Sequence, residues 1–143
     1  MFEIEVLGDK ELVRKLSRLA SGAVRKLARP AVARAIVPIN KAAKRMAPVE
    51  TGTLKKSLGI KIKTYAWPGV VWAGVGPRQG FTGVGPDGRR RDPVNYAHLV
   101  ELGTTHSPAQ PFLRPALDTQ KPMAMAILTR EIKRRLEQEA RKR

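Results

Sequence analysis

Two histidines, twelve acidic residues and no cysteine limit the chemistry open to this chain of 143 residues. His98 and Glu101 stand three apart in a segment able to form a helical turn, with His106 and Asp118 further along. Side chains at that spacing share a helix face, so these are the groups that could gather around a divalent ion. The pattern stops short of a metal signature, because there is no H-E-x-x-H helix and no acidic loop of the EF-hand type. A surface histidine beside a locally pairing glutamate accounts for the same residues. Ser17, Ser21, Ser57 and Ser107 lack the G-x-S-x-G elbow that presents a serine for acyl transfer. A paired-carboxylate mechanism needs two acids facing one cleft, whereas the acids here mostly adjoin basic residues. The glycines of 74–88 lack the G-K-[ST] of a phosphate-cradling loop. Without cysteine there is no thiolate zinc site, thiol nucleophile, Fe–S cluster or disulfide framework. The chain reads as a non-enzyme, with no catalytic residue, no metal and no cofactor.

Charge is its distinguishing property. Twenty-eight Lys and Arg against 12 Asp and Glu leave +16, a field that attracts polyanions. Between Lys10 and Arg45 eleven basic residues face one acid, Glu11, and Arg89-Arg90-Arg91 forms a second cluster. Phosphate contact through these groups makes a small basic nucleic-acid-binding protein the alternative reading. No zinc finger or RNP motif accompanies them, and an aromatic content of 5% argues against extensive base stacking. A solvated helix face, or docking on an acidic protein, explains the same charge. Arg89, Arg90 and Arg91 are candidate partner contacts, as are Trp67 and Trp72, which flank a Pro68-Gly69 turn and serve as sheet packing or as an interface anchor. No apolar run reaches the roughly 18–20 residues of a membrane span. Met1 leads into Phe2-Glu3-Ile4-Glu5 without a signal-peptide pattern, so folding in a reducing cytoplasm is expected.

The elements that must carry these residues follow from periodicity. Phe2, Ile4 and Val6 alternate with Glu3 and Glu5 as in a half-buried strand. Leu12, Leu16, Leu19, Ala23 and Leu27 mark one face of a helix after an Asp9 cap; Val32, Ala35, Ile36, Ile39, Ala42, Ala43 and Met46 mark a second, with Pro30 at its start. Pro38 inside that pattern predicts a kink or two pieces. Alternation at Leu58–Lys63, the Pro68-Gly69 turn and the strand-like run Val70–Val75 together predict an antiparallel hairpin. Residues 76–93 read as a long flexible loop suited to binding. Asn95–Leu102 predicts a short helix ended by Gly103, and a C-terminal helix can run from Phe112, with Pro115 near its start. The expectation is an α+β fold over residues 1–143 as a single domain: a small antiparallel sheet with N-terminal and C-terminal helices packed on one face.

Three stretches, in order, carry a resemblance. Ala47-Pro48-Val49-Glu50-Thr51-Gly52-Thr53-Leu54-Lys55-Lys56-Ser57 fits A-P-x-x-T-G-x-L-x-x-S. Tyr96-Ala97-His98-Leu99-Val100-Glu101-Leu102-Gly103-Thr104 is close to Y-A-x-x-x-E-x-G-T, and Pro111-Phe112-Leu113-Arg114-Pro115-Ala116-Leu117 is P-F-L-R-P-A-L. After a basic helical N-terminus this set resembles the tail-component (tail-completion, or head–tail joining) proteins of long-tailed bacteriophages, over roughly residues 5–135. The resemblance implies a structural virion protein of the neck, assembled in the host cytoplasm. It would form a ring of six copies between tail and head connector, near the DNA path, without catalysis or membrane. It marks Pro48, Thr51, Gly52, Leu54, Ser57, Tyr96, Glu101, Gly103, Thr104, Pro111, Phe112, Leu113, Arg114 and Pro115 as structural motif residues. Within them, Pro48 ends a helix, Gly52 permits a turn, Phe112 and Leu113 anchor an extended segment, and Glu101 is expected to pair with Arg114.

Overall fold

Prolines set the joints of the helical layer. The computed structural model describes residues 22, 24–50, 52–65 and 70–142. The expected strand Phe2–Val6, most of the first helix, Thr51, Trp67 and the Pro68-Gly69 turn lie outside the described residues. A π-helical turn at Val24–Ala28 runs directly into α1, Arg29–Ala35, with Ala28 already helical (φ −75°, ψ −45°). A fresh helix start at Pro30 was the expectation. Instead Pro30 occupies the first turn of α1, where its missing N–H is tolerated, and the chain upstream widens rather than stops. The layer breaks at Ile36: α2 begins at Val37, runs to Met46, and holds Pro38 in its own first turn. The single helix suggested by periodicity is thus two pieces, because the proline fits only where a helix begins.

α2 ends at Ala47, whose extended backbone (φ −60°, ψ 130°) is what the following Pro48 demands. Gly52, at φ 73°, turns the chain into α3, Thr53–Ser57, a helical turn where the sequence suggested only a turn into a strand. The Ser57 hydroxyl donates to the Leu54 carbonyl at 2.6 Å inside this turn. β1 (Leu58–Tyr65) and β2 (Val70–Pro77) form the expected antiparallel hairpin, with Ile62 opposite Ala73 and Lys63 opposite Trp72. Residues 76–93, expected as an irregular loop, contain the end of β2 and a second, smaller hairpin of β3 (Gly83–Val84) and β4 (Arg90–Arg91). Its turn is closed by Gly85 N–H donating to the Arg89 carbonyl and by Gly88 at φ 73°.

Asp92 caps α4 (Pro93–Leu102), its carboxylate accepting from the Val94 N–H at 3.0 Å. The last helix, α5, spans Leu113–Arg141, with Pro115 in its first turn and Pro122 in its interior. α5 lies against α1 and α2, and these helices cover one face of the β1–β2 sheet. Fully buried Phe112 joins Ala42, Ala43, Leu54, Leu58, Ala97 and Ala116 in one cluster. Ile36, Ile39, Ala73 and Ala124 continue it, and Ala31, Ala35 and Leu128 extend it along α5. The fold is α+β, helices over a small antiparallel sheet.

At the far end of α5, buried Glu131 accepts from Arg34 at 2.8 Å and from Arg134 at 2.9 Å, tying that helix to α1. The Arg134 guanidinium holds the Glu131 carboxyl below the usual carboxylate range, burial pushes the other way, and Arg34 adds to the lowering.

Candidate functional site

Two of the sequence motifs meet in one cleft of about 700 Å³. Pro48, Val49, Glu50 and Leu54 line one side, and Tyr96, Leu99 and Val100 of α4 line another. The segment Thr104–Gln110 closes a third, and Gly85, Pro86 and Arg91 from the small hairpin form the lip. Each side is positioned by a local rule. The helix stop at Pro48 and the left-handed Gly52 throw Val49 and Glu50 outward. Gly103, at φ 78°, reverses the chain after α4 so tightly that a Cβ there would come within 2.7 Å of the Ala109 nitrogen. The returning segment is held by Thr104, whose hydroxyl accepts from the Ser107 N–H at 3.1 Å, and by the Gln110 N–H donating to the Val100 carbonyl at 2.8 Å.

Glu101 is the keystone behind the cleft. Its buried carboxylate accepts from the N–H groups of Phe112 (2.8 Å), Leu113 (3.0 Å) and Arg114 (3.0 Å). These are donors that the start of α5 leaves without partners in the helix, and a negative charge is favoured at that end. The pairing with Arg114 is therefore made through its backbone, while its side chain is exposed. Glu101 fixes α4 to α5 and so holds the cleft wall against the core.

The cleft mixes apolar and polar lining in near-equal measure, with Val49, Leu54, Leu99 and Val100 beside Glu50, Arg91 and Gln110. Arg91 bonds Asp87 at 3.0 Å. That guanidinium, and then the Arg89 N–H, hold the Asp87 carboxyl below its ordinary value; the same pairing raises Arg91. Burial pushes the Tyr96 phenol up, and the Arg91 charge partly opposes it. Of the cleft-lining apolar residues, Val49 is 65% exposed and Leu99 44%. Exposed apolar side chains on a concave surface are a general feature of places where proteins bind other molecules.

The sequence-marked residues fall into three places. Pro48, Gly52, Leu54, Tyr96, Thr104 and Arg91 line the cleft. Ser57, Glu101, Gly103, Phe112, Leu113 and Arg114 build its support, with Pro111 exposed just before and Pro115 in the first turn of α5. Trp72 stands apart on the β1–β2 hairpin. The arginine cluster is not three free charges: Arg91 pairs with Asp87, and the Arg90 Nε donates to the Thr82 hydroxyl at 3.1 Å. His98 and His106 are exposed, and among the described residues no group of three His, Asp or Glu is placed to hold a metal ion. The exposed apolar pair Val49 and Leu99 in the cleft was not singled out from sequence. The signal available for Val49 is its place directly after the helix-ending Pro48. The role of Glu101 was half visible, as an acid ahead of a proline-marked helix start.

No curated protein and no solved structure matches the chain. A family model described as "Bacteriophage HK97-gp10, putative tail-component" matches residues 10–103, about two thirds of the chain. The matched span includes α1 to α4 and both hairpins, hence three sides of the cleft, and stops at the glycine that turns the chain toward Phe112. The chain belongs to the HK97 gp10-like family of bacteriophage tail components.

Proposed function

We propose that this protein is a structural subunit of the phage neck, completing the tail or joining it to the head connector as a ring of six copies. It acts by binding rather than by catalysis. The observation that carries the reading is the convergence of two motif segments on one cleft, lined in part by exposed Val49 and Leu99, in a chain of a tail-component family. A subunit that meets neighbours in a particle needs such a preformed surface, and exposed apolar rims are what assembly covers. The small hairpin carrying Arg89, Arg90 and Arg91 forms the lip of the same cleft and joins that contact. The nucleic-acid reading is weaker, since two of these three arginines are engaged within the chain.

The test is microscopy of particles made with Val49→Asp and Leu99→Asp together. Both side chains are exposed, so the purified protein should melt as wild type. Filled heads lying apart from tails are the expected result. Normally joined particles, or virions whose mass spectrum lacks this polypeptide even for the wild type, refute the neck assignment.

A further inference from the structure

The β1–β2 hairpin has a second face that nothing described so far employs. Leu58, Ile62, Ala73 and Val75 pack toward the helices. The register puts Tyr65 opposite Val70, Lys63 opposite Trp72 and Lys61 opposite Gly74 on the other side. Lys61 and Lys63 are exposed there. Arg78 extends the row by folding back over Gly59, where a Cβ would come within 2.8 Å of its side chain. Its guanidinium donates to the Lys56 carbonyl at 2.9 Å and to the Ser57 carbonyl at 3.2 Å, fixing it against the strand. These cations have no acid to answer them in the sequence around them: none occurs between Glu50 and Asp87.

The apolar groups on that face decide which polyanion it suits. Tyr65 is 49% exposed and Val70 47%, and they sit side by side with half-buried Trp72 next along the strand. A phosphate backbone gains nothing from a valine and a tyrosine at the centre of its contact. A protein partner does, since an aromatic and aliphatic centre with a charged rim is how protein interfaces are built. Stacking of nucleobases is also disfavoured. The Trp72 benzo edge rests over Gly74, where a Cβ would come within 2.6 Å, and the Lys63 ammonium lies 5.8 Å from the ring centroid. A base could take that position only by displacing the ammonium.

The geometry points to this face as a docking site for an acidic protein surface, an apolar spot ringed by carboxylates. Tyr65, Val70 and Trp72 make the central contact, and Lys61, Lys63 and Arg78 make the rim. The inference rests on the neck reading, which makes the partner another virion protein, and it concerns a face distinct from the cleft. Rim charges of this kind govern encounter and orientation, so association should weaken as salt rises.

The test places a photo-cross-linking residue, Lys63→p-benzoylphenylalanine, into assembling phage. The expected product is a cross-link to an Asp- or Glu-rich segment of another virion protein. Lys61→Glu with Lys63→Glu should then lower infectious yield at least tenfold while leaving the melting of the purified protein unchanged. Changing the cross-linked acids to lysine should restore the yield. A cross-link to DNA, a cross-link to a segment without acids, no cross-link in particles that contain the protein, or wild-type yield from the double variant each overturns the docking proposal alone. Absence of the protein from particles overturns the neck assignment and the docking proposal together.

Discussion

Replacing Glu101 by alanine strips three backbone donors of their acceptor at once. The N–H of Phe112 belongs to a fully buried residue, and a buried donor left unsatisfied costs ~1–3 kcal/mol. The N–H groups of Leu113 and Arg114 are partly buried and can turn to water, at ~0.5–1 kcal/mol each. The sum is about 2–5 kcal/mol, a large share of the 5–15 kcal/mol by which folded domains are ordinarily stable. Glu101→Gln keeps one acceptor oxygen and should lose about half as much. Arg114→Ala leaves all three bonds in place and should stay within about 0.5 kcal/mol of wild type. Equilibrium urea unfolding followed by circular dichroism gives the three numbers, and thermal melts should rank the variants in the same order. A loss below 1 kcal/mol for Glu101→Ala refutes the clamp. A loss for Arg114→Ala equal to that of Glu101→Ala would place the interaction in the side chain instead.

Gly103→Ala forces a Cβ toward the Ala109 nitrogen at a backbone conformation (φ 78°, ψ 172°) that only glycine adopts freely. The backbone alone should cost ~1–3 kcal/mol in the same unfolding assay, and a neutral result would mean that the turn is not rigid. Glu131, with its folded pKa below the ordinary carboxylate value, contributes stability that is present at neutral pH and is lost as pH falls through that folded pKa. Melting of wild type and Glu131→Gln between pH 7 and pH 3 should therefore differ most at neutral pH and converge in acid; a constant difference contradicts the ion-pair account. Gly74→Ala should push the Trp72 ring off its strand, seen in a Trp67→Phe background as a red shift of emission. An unmoved spectrum would mean that the ring does not lie there.

Much of the fold is legible in residue patterns because proline and alternation act locally. Pro38 announced the break in the helical layer, and the alternation of Ile60 and Ile62 with lysines announced the hairpin. Other features escaped because they depend on partners distant in sequence. α3 exists because Leu54 and Ser57 are buried under α2 and α4, which no local propensity of Thr53–Ser57 reveals. Pro122 sits inside α5, where propensity alone would end the helix, because Ala124 and Leu128 are held against Ile36, Ile39 and Ala35. The small hairpin of Gly83–Arg91 was hidden among glycines that suggest irregular chain. The motif residues of the cleft could be marked in sequence, but the concavity they share required Gly103 to bring Thr104–Gln110 back over α4.

The division of the helical layer at Ile36 and the proline inside α5 have a joint mechanical consequence. Pro38 lies between Ile36 and Ile39, which pack on Leu117 and Ala124, and these flank Pro122 in sequence. Pro122 withholds one amide from α5, and at the same height the facing layer is already divided at Ile36, where α1 gives way to α2. The helical layer thus has a seam. The half behind the cleft is bound by Glu101, the other by Glu131 with Arg34, and the seam lies between these two ties. With a rise of 1.5 Å per residue, the stretch of α5 beyond Pro122 is a lever of about 30 Å, so a tilt of about 5° at the seam moves its end by about 2.5 Å. In an assembly of the kind proposed above, bending there would let a subunit absorb a small mismatch with a neighbour while leaving both bound ends intact.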